Sequence, residues 1–173
     1  MGVQLNNKLD WPSHVNLKCK KANQRFHALK QIKPYVDKQD VHKIYNAYMY
    51  IRSVLEYCCP VFVKLNSCLS NKLEKVDRRA HRIIFKEDKD LKCTCNKDNI
   101  RKRREIMSLK LFLRAEKDVN HPLHSLIPER LKQSHHLNFP FCHTRKYQKS
   151  FIPCTTQLSN NLFHTSHHQS CSI

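Results

Sequence analysis

Twelve histidines and nine cysteines are the residues of this chain with the widest capacity for chemistry, and the first chemistry to test is zinc ligation. Zinc sites announce themselves by spacing, because ligands from one turn or hairpin must converge on a single ion. The sequence contains no C-x-x-C, no H-E-x-x-H, and no H-x-E followed by P-C-x-x-C. The nearest approach is Cys93-x-Cys95, with His121 and His124 on the far side of a predicted helix. A helix of about 20 residues separates its ends by roughly 30 Å, which makes closure around one ion awkward. The run "HTSHHQSC", His164 to Cys171, can chelate metal adventitiously but reads as surface residues without a role. The cysteines are odd in number and show no paired spacing, so they read as reduced thiols rather than a disulfide framework.

Acid–base and two-metal chemistry need carboxylates that converge from neighbouring elements. Here Asp88 and Asp90 lie in a lysine-rich stretch, and Glu56, Glu105 and Glu116 are each flanked or followed by bases. Nothing in that distribution resembles an active site, so neither catalysis nor a bound cofactor is expected. Gly2 is the only glycine, which excludes a Walker loop, a dinucleotide-binding fingerprint and a nucleophile elbow, all of which need two or more glycines. The same scarcity disfavours an architecture of many β-turns and moves the expected fold toward helices.

Charge is the strongest signal. Against 14 acidic residues stand 32 Lys and Arg, a formal net charge of +18. A field of one sign and that size favours a polyanion, since neutralising phosphates releases their condensed counterions. No stretch approaches the ~18 to 20 consecutive apolar residues of a spanning helix, and the N-terminus lacks the apolar core of a signal peptide. The expectation is a nuclear or cytoplasmic protein, not secreted, with no membrane and no small-molecule substrate.

Four helices must position these charges. The first is predicted from Pro12 or Ser13 to Ile32, with Val15, Cys19, Ala22, Phe26 and Leu29 in one apolar stripe, Lys18, Lys21 and Arg25 on its flank, and Pro34 as the stop. A second, from about Asp40 to Cys58, is apolar around most of its girth and belongs in the middle of a bundle; its tyrosines Tyr45, Tyr48, Tyr50 and Tyr57 read as core and rim aromatics before base-stacking platforms. In "SNKLEKVDRRAHRIIFK", Leu73, Val76, Ala80, Ile83 and Ile84 face one way and Lys75, Arg78, Arg79, Arg82 and Lys86 the other, with only Glu74 and Asp77 as nearby acids. Such a stripe is either a solvated face or a phosphate-binding one. A polar linker, "EDKDLKCTCNKD", precedes a fourth helix from Ile100 to Val119, with Ile106, Leu109, Phe112 and Leu113 as its core side and Arg103, Lys110, Arg114 and Lys117 beside them. Strand character is confined to Gly2–Leu5 and to "PVFVKL", Pro60 to Leu65, which could pair with it. Beyond His121 no period is sustained, and the tail is expected to be irregular and in part disordered.

The blocks "KANQRFHALKQIK", "IYNAYMYIRSVLEYCCPVF", "KLEKVDRRAHRII", "IRKRREIMSLKLFLR", "HPLHSLIP" and "TRKYQKSFIPCTTQLSNNLF" occur in this order. Together they resemble the C-terminal, thumb and downstream region of jockey-type (LINE-like) non-LTR retrotransposon reverse transcriptases. The opening "GVQLNNKLDWPSHV" is similar to the segment that lies downstream of the palm's catalytic aspartate pair in those enzymes and leads into the thumb. Phe62 stands where the family often has Trp, Asp77 where Gln is common, and "KEDKDLKCTCNKDN" follows no shared pattern.

The resemblance implies a mainly α, three- to four-helix thumb-like bundle over residues 12–119, a residual palm-edge segment over 1–11 as a short orphan strand, and an irregular tail over 120–173. It implies a fragment of an RNA-directed DNA polymerase without the palm's aspartate pair, and so without polymerase activity of its own. The implied partners are an RNA/DNA template–primer duplex, gripped by its backbone, and the missing palm. Lys18, Lys21, Arg25, Arg78, Arg79, Arg82, Arg103 and Arg104 are the residues expected at phosphates, binding without reading sequence. The competing expectations are a retroelement remnant without function and a helical protein-interaction module.

Overall fold

A computed structural model of the chain describes residues 2–8, 10–35, 37, 40, 51–85, 99–132, 134 and 136–169. The fold is mainly α. Among the described residues six α-helices follow one another: α1 (Pro12–Ile32), α2 (Arg52–Glu56), α3 (Ser67–Phe85), α4 (Ile100–Lys117), α5 (Arg145–Gln148) and α6 (Phe151–Gln169). Short 3-10 turns at Lys33–Tyr35, Cys59–Phe62 and His124–Leu126 punctuate them. No helix among the described residues is long and apolar enough to cross a membrane. Most of the predicted second helix, the linker with Cys93 and Cys95, and Lys86 lie outside the described residues.

The contacts divide the chain into two compact units: residues 1–58 with 65–103, and residues 59–64 with 104–173. This corrects the expected boundaries, which kept 12–119 together and left 120–173 as a tail. The physical reason is local: Cys59–Lys64 and α4 from Arg104 onward share buried side chains with the C-terminal helices.

In the first unit, α1 packs on α2 and α3. Val15, Ala22 and Leu29 of α1, Ile51, Val54 and Leu55 at α2, Leu69, Leu73, Val76 and Ala80 of α3, and Ile100 form one core, with Trp11, Cys19, Phe26 and Leu65 packed against it. Of these, Val15, Cys19, Ala22, Phe26 and Leu29, and Leu73, Val76 and Ala80, are residues that helical spacing assigned to the apolar stripes of α1 and α3. Each fully buried leucine among them contributes about 1.5–3 kcal/mol of hydrophobic stabilisation. The short α2 is enclosed, and even its charged residues are buried. Arg52 pairs with Asp77 of α3 at 3.6 Å, and Glu56 accepts from Arg103 at the start of α4. A charge in such a place requires a partner, because an uncompensated one is strongly destabilising. Cys58 just past α2 has a left-handed φ of 54°, a position where helices prefer glycine; a chain whose sole glycine is Gly2 places a thiol there instead.

Gly2–Leu5 forms no strand, correcting the orphan-strand expectation, and "PVFVKL" contributes a 3-10 turn instead of a pairing partner. The segment is held otherwise: the Gln4 backbone N–H donates to Nδ1 of His14, at 3.3 Å, and His14 meets Trp11 edge-on.

In the second unit, the buried side of α4 is Arg104, Ser108, Phe112 and Ala115. Of the expected core side, Phe112 is fully buried, whereas Ile106, Leu109 and Leu113 are only half-buried. Arg104 escapes an apolar-stripe search because it is charged, yet its Nε donates to the carbonyl of Val63 at 3.1 Å, while Ser108 donates to the carbonyl of Arg104 at 2.7 Å. The expected irregular tail is corrected by α6. Its buried face is Pro153, Cys154, Thr155, Thr156 and Ser159, which carries almost no hydrophobic signal. Thr155 Oγ1 donates to the carbonyl of Phe151 at 2.7 Å, so the helix itself satisfies that buried hydroxyl. Pro153 is tolerated because it lies in the first turn, where backbone N–H groups have no intrahelical acceptor. Phe112 meets Phe151 edge-to-face at 6.4 Å. An isolated antiparallel bridge joins Arg130 and Leu137, and the side-chain amide of Asn160 accepts from Leu137 N at 2.9 Å and donates to Leu137 O at 3.0 Å.

Two outcomes test this packing. Asn160→Ala leaves both backbone groups of Leu137 without that amide and is expected to cost about 1–3 kcal/mol in a denaturant melt. His14 is 2% exposed. Its pKa is pushed below the ordinary 6.5, first by burial and then by the Lys18 charge. The unfolded chain therefore protonates His14 before the folded one does, so its contribution to stability is complete above 6.5 and declines as pH falls below that value. Melts at about pH 7.5 and pH 5.5 should show a larger loss at the lower pH for the native chain than for His14→Gln.

Candidate nucleic-acid interface

The outward side of α3 is built by the same periodicity that builds the core. Leu69, Leu73, Val76 and Ala80 turn inward, which leaves Lys72, Lys75, Arg78, Arg79 and Arg82 exposed. From Lys72 to Arg82 the helix rises about 15 Å, roughly four axial steps of one nucleic-acid strand. The two acids of α3 do not neutralise this row. Asp77 is buried and paired with Arg52, and Glu74 Oε1 accepts the Arg101 backbone N–H at 2.9 Å, occupied at the N-terminus of α4. Arg78 Nε is 3.4 Å from the carbonyl of Glu74, which holds its guanidinium along the helix surface. Lys72 Nζ donates to Asn16 Oδ1 at 3.2 Å, tying the row to α1.

Spacing alone also pointed to five further cations, and the structure separates them. Lys21 and Arg25 sit half-buried on the flank of α1, with Arg25 3.4 Å from Ser53 Oγ. Lys18, 4% exposed, is corrected outright. It donates to the carbonyls of Leu55 and Tyr57 and lies 5.9 Å from the Tyr57 ring centroid, so its charge meets the carbonyl end of α2. Arg103 is corrected as well: it makes a two-pronged pair with Glu56, its second arm at 3.1 Å. Arg104, in the second unit, is 2% exposed and bound to Val63 as described. Lys18 and Arg104 lie in the interior and are not available to a phosphate, while Arg103, whose side chain is 21% exposed, is held by Glu56. A helical wheel cannot reveal this, because the acceptors of Lys18 and Arg104 are backbone carbonyls distant in sequence. Lys72 belongs to the row by the same spacing: it precedes Lys75 by three positions and Arg79 by seven, so it shares their face.

Other chemistries fare less well. Among the described residues no three His, Cys, Asp or Glu side chains gather where they could hold a metal ion. His121 and His124 instead shape the turn after α4, His121 Nδ1 accepting from Leu123 N at 3.1 Å and His124 Nδ1 lying 2.9 Å from the Ala115 carbonyl. Burial pushes the thiols of Cys19 and Cys154 above the ordinary value despite neighbouring lysines, which keeps them protonated and poorly nucleophilic.

Two substitutions distinguish structural from exposed cations. Lys18→Ala should destabilise the chain by roughly 2–4 kcal/mol, because it empties a packed site and removes a donor from two carbonyls. Arg79→Gln should leave the melting temperature within about a degree, as surface substitutions usually do. Equal effects of the two on thermal melting would contradict the assignment. Comparison with protein-family models, with curated proteins and with solved structures found no match for this chain.

Proposed function

We propose that this chain binds double-stranded nucleic acid through the outer face of α3, by phosphate contacts that do not read sequence, as a thumb-like part of a retroelement reverse transcriptase. The observation that carries the reading is the row Lys72, Lys75, Arg78, Arg79 and Arg82, exposed while both acids of its helix are committed elsewhere. A helix face with this arrangement fits a phosphate backbone and offers no amide set for base edges. Family origin rests on the six ordered sequence blocks, and the duplex of a template and its primer is the partner that origin suggests.

Polymerisation is a different matter. It needs acidic side chains holding two metal ions at the primer end, and these 173 residues contain no adjacent aspartate pair. The proposed role is therefore to hold a duplex, with the chemical step belonging to a palm.

Fluorescence anisotropy with a labelled duplex is the test. Five phosphate contacts imply a slope of about −4.5 in log affinity against log salt, or roughly a 500-fold loss between 50 and 200 mM. Arg79→Gln with Arg82→Gln should weaken binding to unrelated duplex sequences alike and flatten the slope by about two. Absence of affinity at the lower salt would reject the proposal.

A further inference from the structure

Between Arg130 and Ile173 the sequence has no Asp or Glu, and this stretch places aromatic rings among bases: "NFPFCHTRKYQK", Asn138 to Lys149. In the second unit the rings of this segment are on the surface. Phe141 is 79% exposed, Phe139 44% and Tyr147 43%. Arg145, Lys146 and Lys149 are exposed beside them. Three exposed aromatics gathered between residues 139 and 147 leave a cluster of ring surface in water, and such clusters mark binding sites more often than scattered single side chains do.

The segment is also held in shape. Pro140 fixes the backbone between Phe139 and Phe141, and its carbonyl accepts from Cys142 Sγ at 3.2 Å. His143 meets Phe141 edge-on, with centroids 4.6 Å apart at 89°, an arrangement compatible with an open flat face on the phenyl ring. Thr144 caps α5 by accepting the Tyr147 N–H at 3.1 Å, and Ser150 Oγ donates to the Tyr147 carbonyl at 2.6 Å. Tyr147 is thus fixed between Lys146 and Lys149. The chain from Phe139 to Tyr147 reaches at most about 28 Å, the scale of a few stacked or splayed nucleotides.

We propose that Phe139, Phe141 and Tyr147, with Arg145, Lys146 and Lys149, form a binding site for single-stranded nucleic acid, separate from the duplex face of α3. Unpaired bases stack on the rings and the three cations follow the phosphates. Stacking of this kind is indifferent to sequence but demands a base face, which a duplex does not offer. The acid-free character of the stretch favours a polyanion as occupant. A membrane surface fits less well, because α5 is a single turn and the rings alternate with bases instead of forming one continuous apolar face.

The full chain is titrated with a labelled single strand of about 20 thymidines, with a duplex of the same length, and with vesicles of phosphatidylserine and phosphatidylcholine. Phe141→Ala is expected to weaken the single strand about tenfold and the duplex less than twofold, while Phe141→Trp keeps both. Arg145→Gln with Lys149→Gln should reduce the salt slope for the single strand only. Arg79→Gln with Arg82→Gln should do the reverse, so failure at one face is distinguishable from failure at the other. The proposal is overturned if the native chain ignores the single strand, if Phe141→Ala changes neither ligand or both equally, or if it abolishes vesicle binding while oligonucleotide binding persists.

Discussion

The charge of the outer face of α3 depends on where the acids of that helix go. A helix bearing Lys72, Lys75, Arg78, Arg79 and Arg82 would ordinarily neutralise itself with carboxylates three or four residues away. Here Asp77 is drawn into the interior by Arg52, and Glu74 accepts the Arg101 backbone N–H in the first turn of α4. Both acids serve the fold, and the outer row keeps its charge. The buried pair of Arg52 and Asp77 is worth little as net stabilisation, since desolvation offsets most of the attraction. Its consequence is geometric: it orients α2 against α3 and removes a counter-charge from the surface.

The interior cations complete the picture. Lys18 meets the carbonyl end of α2, Arg103 meets Glu56, and Arg104 meets the turn at Val63. A few of the chain's 32 Lys and Arg therefore do the work that glycine caps and apolar contacts do elsewhere. In a chain with one glycine, helix ends need other partners, and long basic side chains reach carbonyls that a C-terminal glycine turn would have satisfied. A high net charge thus overstates the number of bases available to a ligand.

How much of this was readable from the sequence differs by element. The limits of α1 and the core residues of α1 and α3 follow from apolar spacing, because those helices bury ordinary hydrophobic side chains: Val15, Ala22 and Leu29, then Leu73, Val76 and Ala80. Part of the core side of α4 and the whole of α6 are hidden from the sequence for one shared reason. Phe112 follows from its apolar type, but Arg104 and Ser108 beside it, and Thr155 and Ser159 in α6, are polar residues whose burial a periodicity search does not see. Of the expected contact residues, Arg78, Arg79 and Arg82 stand exposed, whereas Lys18, Arg103 and Arg104 were indistinguishable from them by type and spacing alone.

Lysine reactivity addresses the central claim most directly. Brief acetylation of the chain, alone and saturated with duplex, followed by peptide mass spectrometry, reports each ammonium group separately. The account predicts that Lys72 and Lys75 are reactive in the free chain and shielded by the duplex, while buried Lys18 stays unreactive in both. Shielding confined to Lys110 and Lys117 of α4, with Lys72 and Lys75 unchanged, would contradict it.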